Sequence, residues 1–186
     1  MTKPNLVRIF AAAFIGGEAL LGGLLALGET ESLAKEAPPQ QTPNWEGLCH
    51  FEPPEGFNQL LVDSAGEFGL HPSILAVTVY RESGCDPWAY GAVGEIGLTQ
   101  IYPKYWVSDL RKQKILTRSQ ELWDPRTNLR ASAWILSTLL QKEKNKFGMF
   151  RRYNGRGPKA RKYAAEQQAR LWSLTRGHLL LQGQNP

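Results

Sequence analysis

The sequence predicts a mainly α-helical domain preceded by an N-terminal hydrophobic helix and a proline-rich tether. Three observations carry that prediction. Several segments place apolar residues at helical spacing between recognisable start and stop residues. No run has convincing strand character and no hairpin signal occurs. The hydrophobic content, 42% of 186 residues, suffices for a packed core, and the length fits one ordinary domain with an appendage. No internal repeat is visible.

Residues 1–28 form the first element. Lys3 and Arg8 precede "IFAAAFIGGEALLGGLLALG", which is apolar except for Glu18. The run is about as long as a bilayer-spanning helix needs, and positive charge on its N-terminal flank predicts that the remainder is exported. Glu18 would cost roughly 2.5–3.5 kcal/mol at mid-membrane if charged. Small residues at Ala26/Gly28 and Ser32/Ala34 also suit a signal peptidase. A retained anchor and a cleaved signal therefore both stay open, with a helix buried in a soluble fold as the third reading.

Residues 29–46, rich in proline, glutamine and charge, read as an extended tether. The domain itself is expected over 47–186, its fold beginning near Trp45 to Cys49. From Phe57, "FNQLLVDSAGEFG" puts Leu60, Leu61 and Phe68 near one helical face, with Gly69 as a stop. Pro72 suits the first turn of a second helix running into Glu82, although the β-branched "VTV" within it equally suits a short strand. Cys85 to Gly97 reads as loop. Asp124 before Pro125 is an N-cap signal for the clearest helix, with Leu129, Ala133, Leu136 and Leu140 in period and Gly148 as its close. "MFRRYNGRGPKARKY" reads as a turn rich in glycine and base, followed by a last helix over "ARKYAAEQQARLWSL".

Cys49 and Cys85 sit in no CxxC or Cys/His cluster, so neither a metal nor another cofactor is expected. In an exported domain the pair most simply forms one disulfide; two free buried thiols are the alternative. A net charge of +5 favours an anionic partner without choosing among nucleic acid, membrane and cell-wall polymer.

Glu82 draws attention because it ends an apolar run and precedes a glycine-rich loop. A carboxyl against apolar surface is desolvated and its pKa rises, as a general acid near neutral pH requires. A glutamate merely solvated in the last helical turn is the plainer reading. The surroundings favour the acid. Glu82-Ser83, Asp86-Pro87, Ala89, Gly94, Gly97-Leu98 and Gln100-Ile101, followed by "DPRTNLRASAWIL" and "RYNG", resemble the signature of lytic transglycosylases of the soluble-transglycosylase type. The resemblance covers roughly 56–174. It implies a lysozyme-like (soluble-transglycosylase or goose-type) catalytic domain acting on peptidoglycan glycan strands.

On that resemblance Glu82 is the catalytic acid/base, and Ser83, Gln100, Tyr153 and Asn154 line a substrate cleft. Tyr153 would offer a ring face to a sugar and its hydroxyl to Glu82. The implied reaction breaks the MurNAc-GlcNAc β-1,4 linkage and closes a 1,6-anhydro ring, with Glu82 as the one carboxylate. The chain departs from the pattern at Cys85, Asp86, Glu95 and Thr99. Glu95 and Asp86 are thus candidate second acids for a hydrolysing lysozyme, though Asp86 before Pro87 also suits a turn. Trp88, Tyr90, Tyr102, Pro103, Tyr105 and Trp106 either extend a sugar-binding wall or simply pack. Arg151, Arg152, Arg156, Lys159, Arg161 and Lys162 either capture peptidoglycan carboxylates or form a solvated basic face.

The N-terminal segment, taken with the resemblance, predicts the bacterial cell envelope as location: the periplasm, with an inner-membrane anchor through 9–28, or a virion if phage-encoded. Local wall opening for a secretion, conjugation or virion assembly fits a small enzyme of this kind. A nucleic-acid-binding protein explains neither the export segment nor the constellation from Glu82 to Asn154. A non-catalytic peptidoglycan-binding envelope protein is the remaining alternative.

Overall fold

The computed structural model describes residues 44–181, with side chains to 176. The predicted anchor, and the tether up to residue 43, lie outside the described residues. Among the described residues no helix is long and apolar enough to cross a membrane. The described part is helical, with no strand and only isolated bridges at Tyr90–Ile96 and Ile96–Ile101.

Trp45 already packs into the core, and its N–H donates to Asn58 Oδ1 at 2.9 Å. Helix α1, Phe57–Glu67, buries Phe57, Leu61, Ser64 and Ala65 along one stripe, and Gly69 at φ +67° turns the chain out. Helix α2, Pro72–Ser83, starts at His71, whose ring nitrogen accepts the Ser73 N–H. All seven residues from Ser73 to Val79 are buried, so the first two turns of α2 are enclosed on every side and carry no amphipathic period, while Arg81 in the last turn is exposed. The strand reading of "VTV" gives way here to tertiary packing, and Thr78 Oγ donates back to the Ile74 carbonyl within the helix.

Cys49 and Cys85 are joined by a disulfide, their Cα atoms 5.3 Å apart. It fastens the start of the domain beside the end of α2, where the N–H groups of His50 and Phe51 both donate to the Gly84 carbonyl.

A helix the sequence did not announce, α3, spans Pro103–Lys112. Leu110 is fully buried in it, and Trp106 and Val107 pack against the core beside it. A short 3-10 turn, Ser119–Trp123, leads to α4, Pro125–Glu143. Asp124 caps α4 by accepting the Thr127 N–H at 2.8 Å.

Two expectations are corrected at the next junction. Helix α4 ends at Lys144, which takes the left-handed conformation at φ +57°, and not at Gly148. Gly148 lies inside α5, Lys146–Asn154, where Asn145 caps its N–H at 2.7 Å. A Cβ on Gly148 would lie 2.7 Å from Glu143 Cβ, so this glycine serves close approach rather than termination. "MFRRYN" is accordingly helix and not turn. Only the short bend after Asn154 separates it from α6, Gly157–Leu181. Helix α4 packs on α1 and α5, while α2 packs on α1 and α6.

Candidate active site

Helix α2 stops one residue after Glu82. Gly84 and Cys85 both adopt positive φ, +63° and +78°, turning the chain sharply into the loop. Glu82 is thereby fixed at the end of a buried helix, with its carboxyl facing a cleft of about 530 Å³. The cleft is also lined by Gly91, Glu95, Gln100, Tyr102, Tyr105, Trp106, Tyr153, Asn154 and Arg156.

Burial pushes the Glu82 pKa up to about 7. Two features oppose that rise: a hydrogen bond from Tyr163, whose hydroxyl donates to Glu82 Oε1 at 2.5 Å, and the positive charge of Arg81. The negative charge of Glu95 adds to it. Desolvation is the largest of these effects. A carboxyl poised in this way holds a proton near neutral pH and can release or reclaim it.

Tyr163 stands on α6, 81 residues from Glu82 in the chain, and no motif marks it. The hydroxyl expected to reach Glu82 was that of Tyr153. The structure corrects this: Tyr153 donates to the Thr99 carbonyl at 2.8 Å and shares a hydrogen bond with Ser132 Oγ at 3.1 Å. Its ring still lines the cleft. Both tyrosines are held neutral well above the usual tyrosine range by burial and by the Glu82 charge. Behind Tyr163, Gln167 donates to the Val77 carbonyl at 3.1 Å, tying α6 to α2 just below the acid.

The loop that also lines the cleft is organised by buried Asn128. Its Oδ1 accepts the Thr99 N–H at 3.0 Å and the Thr99 hydroxyl at 2.6 Å. Its Nδ2 donates to the carbonyls of Ile96 (2.9 Å) and Leu122 (2.8 Å). A Cβ on Gly97 would lie 2.6 Å from Asn128 Nδ2, which is why glycine stands there. Sequence reading placed Asn128 within a helix and gave it no role.

Gln100, at φ +50°, directs its amide N–H₂ to the carbonyls of Ala89 (2.9 Å) and Gly97 (3.0 Å). Only its Oε1 remains to accept from a cleft ligand. Ser83 is not a cleft residue, contrary to expectation: its hydroxyl donates to the Leu98 carbonyl at 2.8 Å and accepts the Cys85 N–H at 3.2 Å. The α2 terminus leaves that hydroxyl directed at the loop backbone. Asp86 forms the predicted turn by accepting the Trp88 N–H at 2.8 Å, and it stays outside the cleft. Glu95 does reach the cleft; it accepts the Val93 N–H at 3.1 Å and overhangs Gly91, where a Cβ would lie 2.1 Å from Glu95 Oε2. Asn154 lines the rim at the end of α5.

Of the predicted aromatic wall, Tyr102, Tyr105 and Trp106 line the cleft, whereas Trp88 and Tyr90 do not. Of the basic cluster, Arg152 and Arg156 line it, and Arg152 also pairs with Glu143 at 3.3 Å. Among the described residues no group of His, Cys, Asp and Glu is placed to hold a metal ion.

Residues 60–173, more than half of the chain, match the family described as Transglycosylase SLT domain. Among solved structures, an inactive mutant of the lytic transglycosylase Slt from Pseudomonas aeruginosa is similar at 24% identity and a TM-score of 0.57. That likeness covers 63% of this chain and 24% of the other. The 70-kDa soluble lytic transglycosylase, in complex with bulgecin A, is similar at 22% identity and a TM-score of 0.51. It covers 63% of this chain and 19% of the other. These two likenesses show a shared fold, and this chain spans less than a quarter of the length of either protein. A search of curated proteins finds no match. The family match runs from within α1 to within α6 and takes in every element that builds the cleft, so the chain belongs to the transglycosylase SLT domain family.

Proposed function

We propose that this protein is a peptidoglycan lytic transglycosylase in which Glu82 performs both proton transfers. The observation that carries the reading is the Glu82 carboxyl itself: buried, held by Tyr163, raised to a pKa of about 7, and open to a cleft on one side. Protonated Glu82 donates to the glycosidic oxygen as the bond to the MurNAc anomeric carbon breaks through an oxocarbenium-like transition state. The N-acetyl group of the substrate assists from the opposite face. Ionised Glu82 then takes the proton of the 6-hydroxyl, whose oxygen closes the 1,6-anhydro ring. The acid is regenerated and water is not consumed.

Within the cleft, Gln100 Oε1 and the Asn154 amide are suited to sugar acetamido and hydroxyl groups, and the Tyr153 ring to a sugar face. Arg156 on the rim suits the carboxylates of the lactyl-peptide stem. The hydrophobic segment at 9–28 supports an enzyme exported to the periplasm and anchored in the inner membrane, opening the wall locally for an envelope or virion assembly.

One observation favours a second reading. Glu95 shares the cleft and is near enough to Glu82 to affect its proton affinity. As base or nucleophile it would make the protein a hydrolysing muramidase. Mass spectrometry of purified peptidoglycan after digestion separates the two. Anhydro-ended muropeptides are the expected products; reducing ends that gain water establish the hydrolase; no products at all leave a binding protein.

A further inference from the structure

Two large aromatic side chains stand outside the cleft with most of their surface in solvent: Trp88 is 71% and Tyr90 69% exposed. Clustered apolar surface of this kind marks a place where something docks. Both rings lie against Trp123, with centroids 6.2 Å and 6.1 Å from it and interplanar angles of 28° and 27°. The loop after α2 thus contributes two rings that each stack against Trp123 of the 3-10 turn before α4. Neither Trp88 nor Tyr90 is among the residues that carry the family resemblance.

The array is built on a fixed backbone. Asp86 orients the turn by accepting the Trp88 N–H. The carbonyl of Ala89, between the two exposed rings, accepts from the Gly97 N–H and the Gln100 amide, both at 2.9 Å. Tyr90 pairs with Ile96 across a bridge. Gly91 and Ala92, the next residues in the chain, already line the cleft. The array therefore continues the cleft rim, and Gln100 braces both.

We propose that Trp88, Tyr90 and Trp123 form a second glycan platform, on which sugars of a peptidoglycan strand stack beyond those held in the cleft. The proposal rests on the functional reading above. A pyranose ring presents an apolar face of C–H groups, and an aromatic face, electron-rich at its centre, attracts them. The three rings carry no charge, so the array suits the uncharged C–H faces of the sugars rather than the carboxylates of the peptide stems. A polymer already held at Glu82 is the occupant that continuity with the cleft selects.

The test uses the full-length protein carrying Glu82→Gln, so that binding is read without cleavage. Adding Trp88→Ala and Tyr90→Ala should lower its affinity for insoluble peptidoglycan sacculi about tenfold in a sedimentation assay. The melting temperature, unchanged by removing exposed rings, checks the fold. With Glu82 intact, the same pair of substitutions should slow cleavage of sacculi about tenfold. Cleavage of a soluble glycan too short to extend past the cleft should stay unchanged. Equal retention by sacculi overturns the platform and leaves the enzymatic reading standing. Retention that persists while a protein partner of the envelope is lost overturns it too, in favour of protein docking. Should the unsubstituted protein cleave neither substrate, the enzymatic reading fails, and the retention assay still decides the platform.

Discussion

Two glutamates line one cleft, and the segments that carry them are built differently. Glu82 ends a helix whose first two turns are buried on every side, and a tyrosine from another helix holds its carboxyl. Glu95 stands on a loop between glycines, bonded to a backbone N–H two residues earlier. The contrast teaches that residue type does not set a carboxyl's hold on its proton. Burial raises the Glu82 pKa to about 7, and burial comes from where the helix ends. The loop contributes shape, through Asn128, and a charge that acts on Glu82.

Replacing each partner in turn sharpens that comparison. Glu82→Gln should have the largest effect, lowering the cleavage rate at least ~10²–10⁴-fold, the usual worth of a positioned general acid. The same variant reports the cost of burial. The unfolded chain releases this proton from about 4.5 upward, whereas the folded protein keeps it to about 7. Stability is therefore lost as pH rises through that window, by on the order of 3 kcal/mol once above it. Urea unfolding should find Glu82→Gln more stable than the parent at pH 8 and the two alike at pH 4.

Asn128→Ala attacks the loop. It leaves the Thr99 N–H and the carbonyls of Ile96 and Leu122 without their buried partner. A loss of about 3 kcal/mol in urea unfolding is expected. Tyr163→Phe removes a hydrogen bond that favours ionised Glu82, so the alkaline limb of the pH–rate profile should move upward, with the rate falling about tenfold. Glu95→Gln should act least and in the opposite sense. Removing its charge lets Glu82 ionise more readily, so the limb moves downward. The rate should change about two- to threefold, and the products should stay anhydro-ended. A switch in product chemistry would make Glu95 a partner in the reaction.

The helices with caps were legible in sequence because start signals are local. Asp124-Pro125 and Pro72 mark the starts of α4 and α2. Stops were harder: α4 ends at a left-handed lysine, a conformation that side chain does not advertise, and Gly148 served packing instead. Helix α3 was missed although Pro103 starts it and Trp106, Val107 and Leu110 mark its inner face, because its aromatic residues were read only as a sugar-binding wall or packing. At the site, Glu82 and Gln100 were found through motif residues close together in the chain. Tyr163 was not, since it meets Glu82 only through the packing of α6 on α2. The polar run "RKYAAEQ" around it gives no sign that Tyr163 and Gln167 are buried. Ser83 was misread for the converse reason: adjacency to the acid in sequence does not fix the side of the helix end on which a hydroxyl emerges.

The central claim is that the end of a buried helix holds one carboxyl protonated near neutral pH. Carbon-detected NMR titration of the full-length protein, with Glu82 assigned by its loss in Glu82→Gln, reads that directly. The account predicts a Glu82 midpoint at about 7. A midpoint at the ordinary value of 4.5 would contradict it.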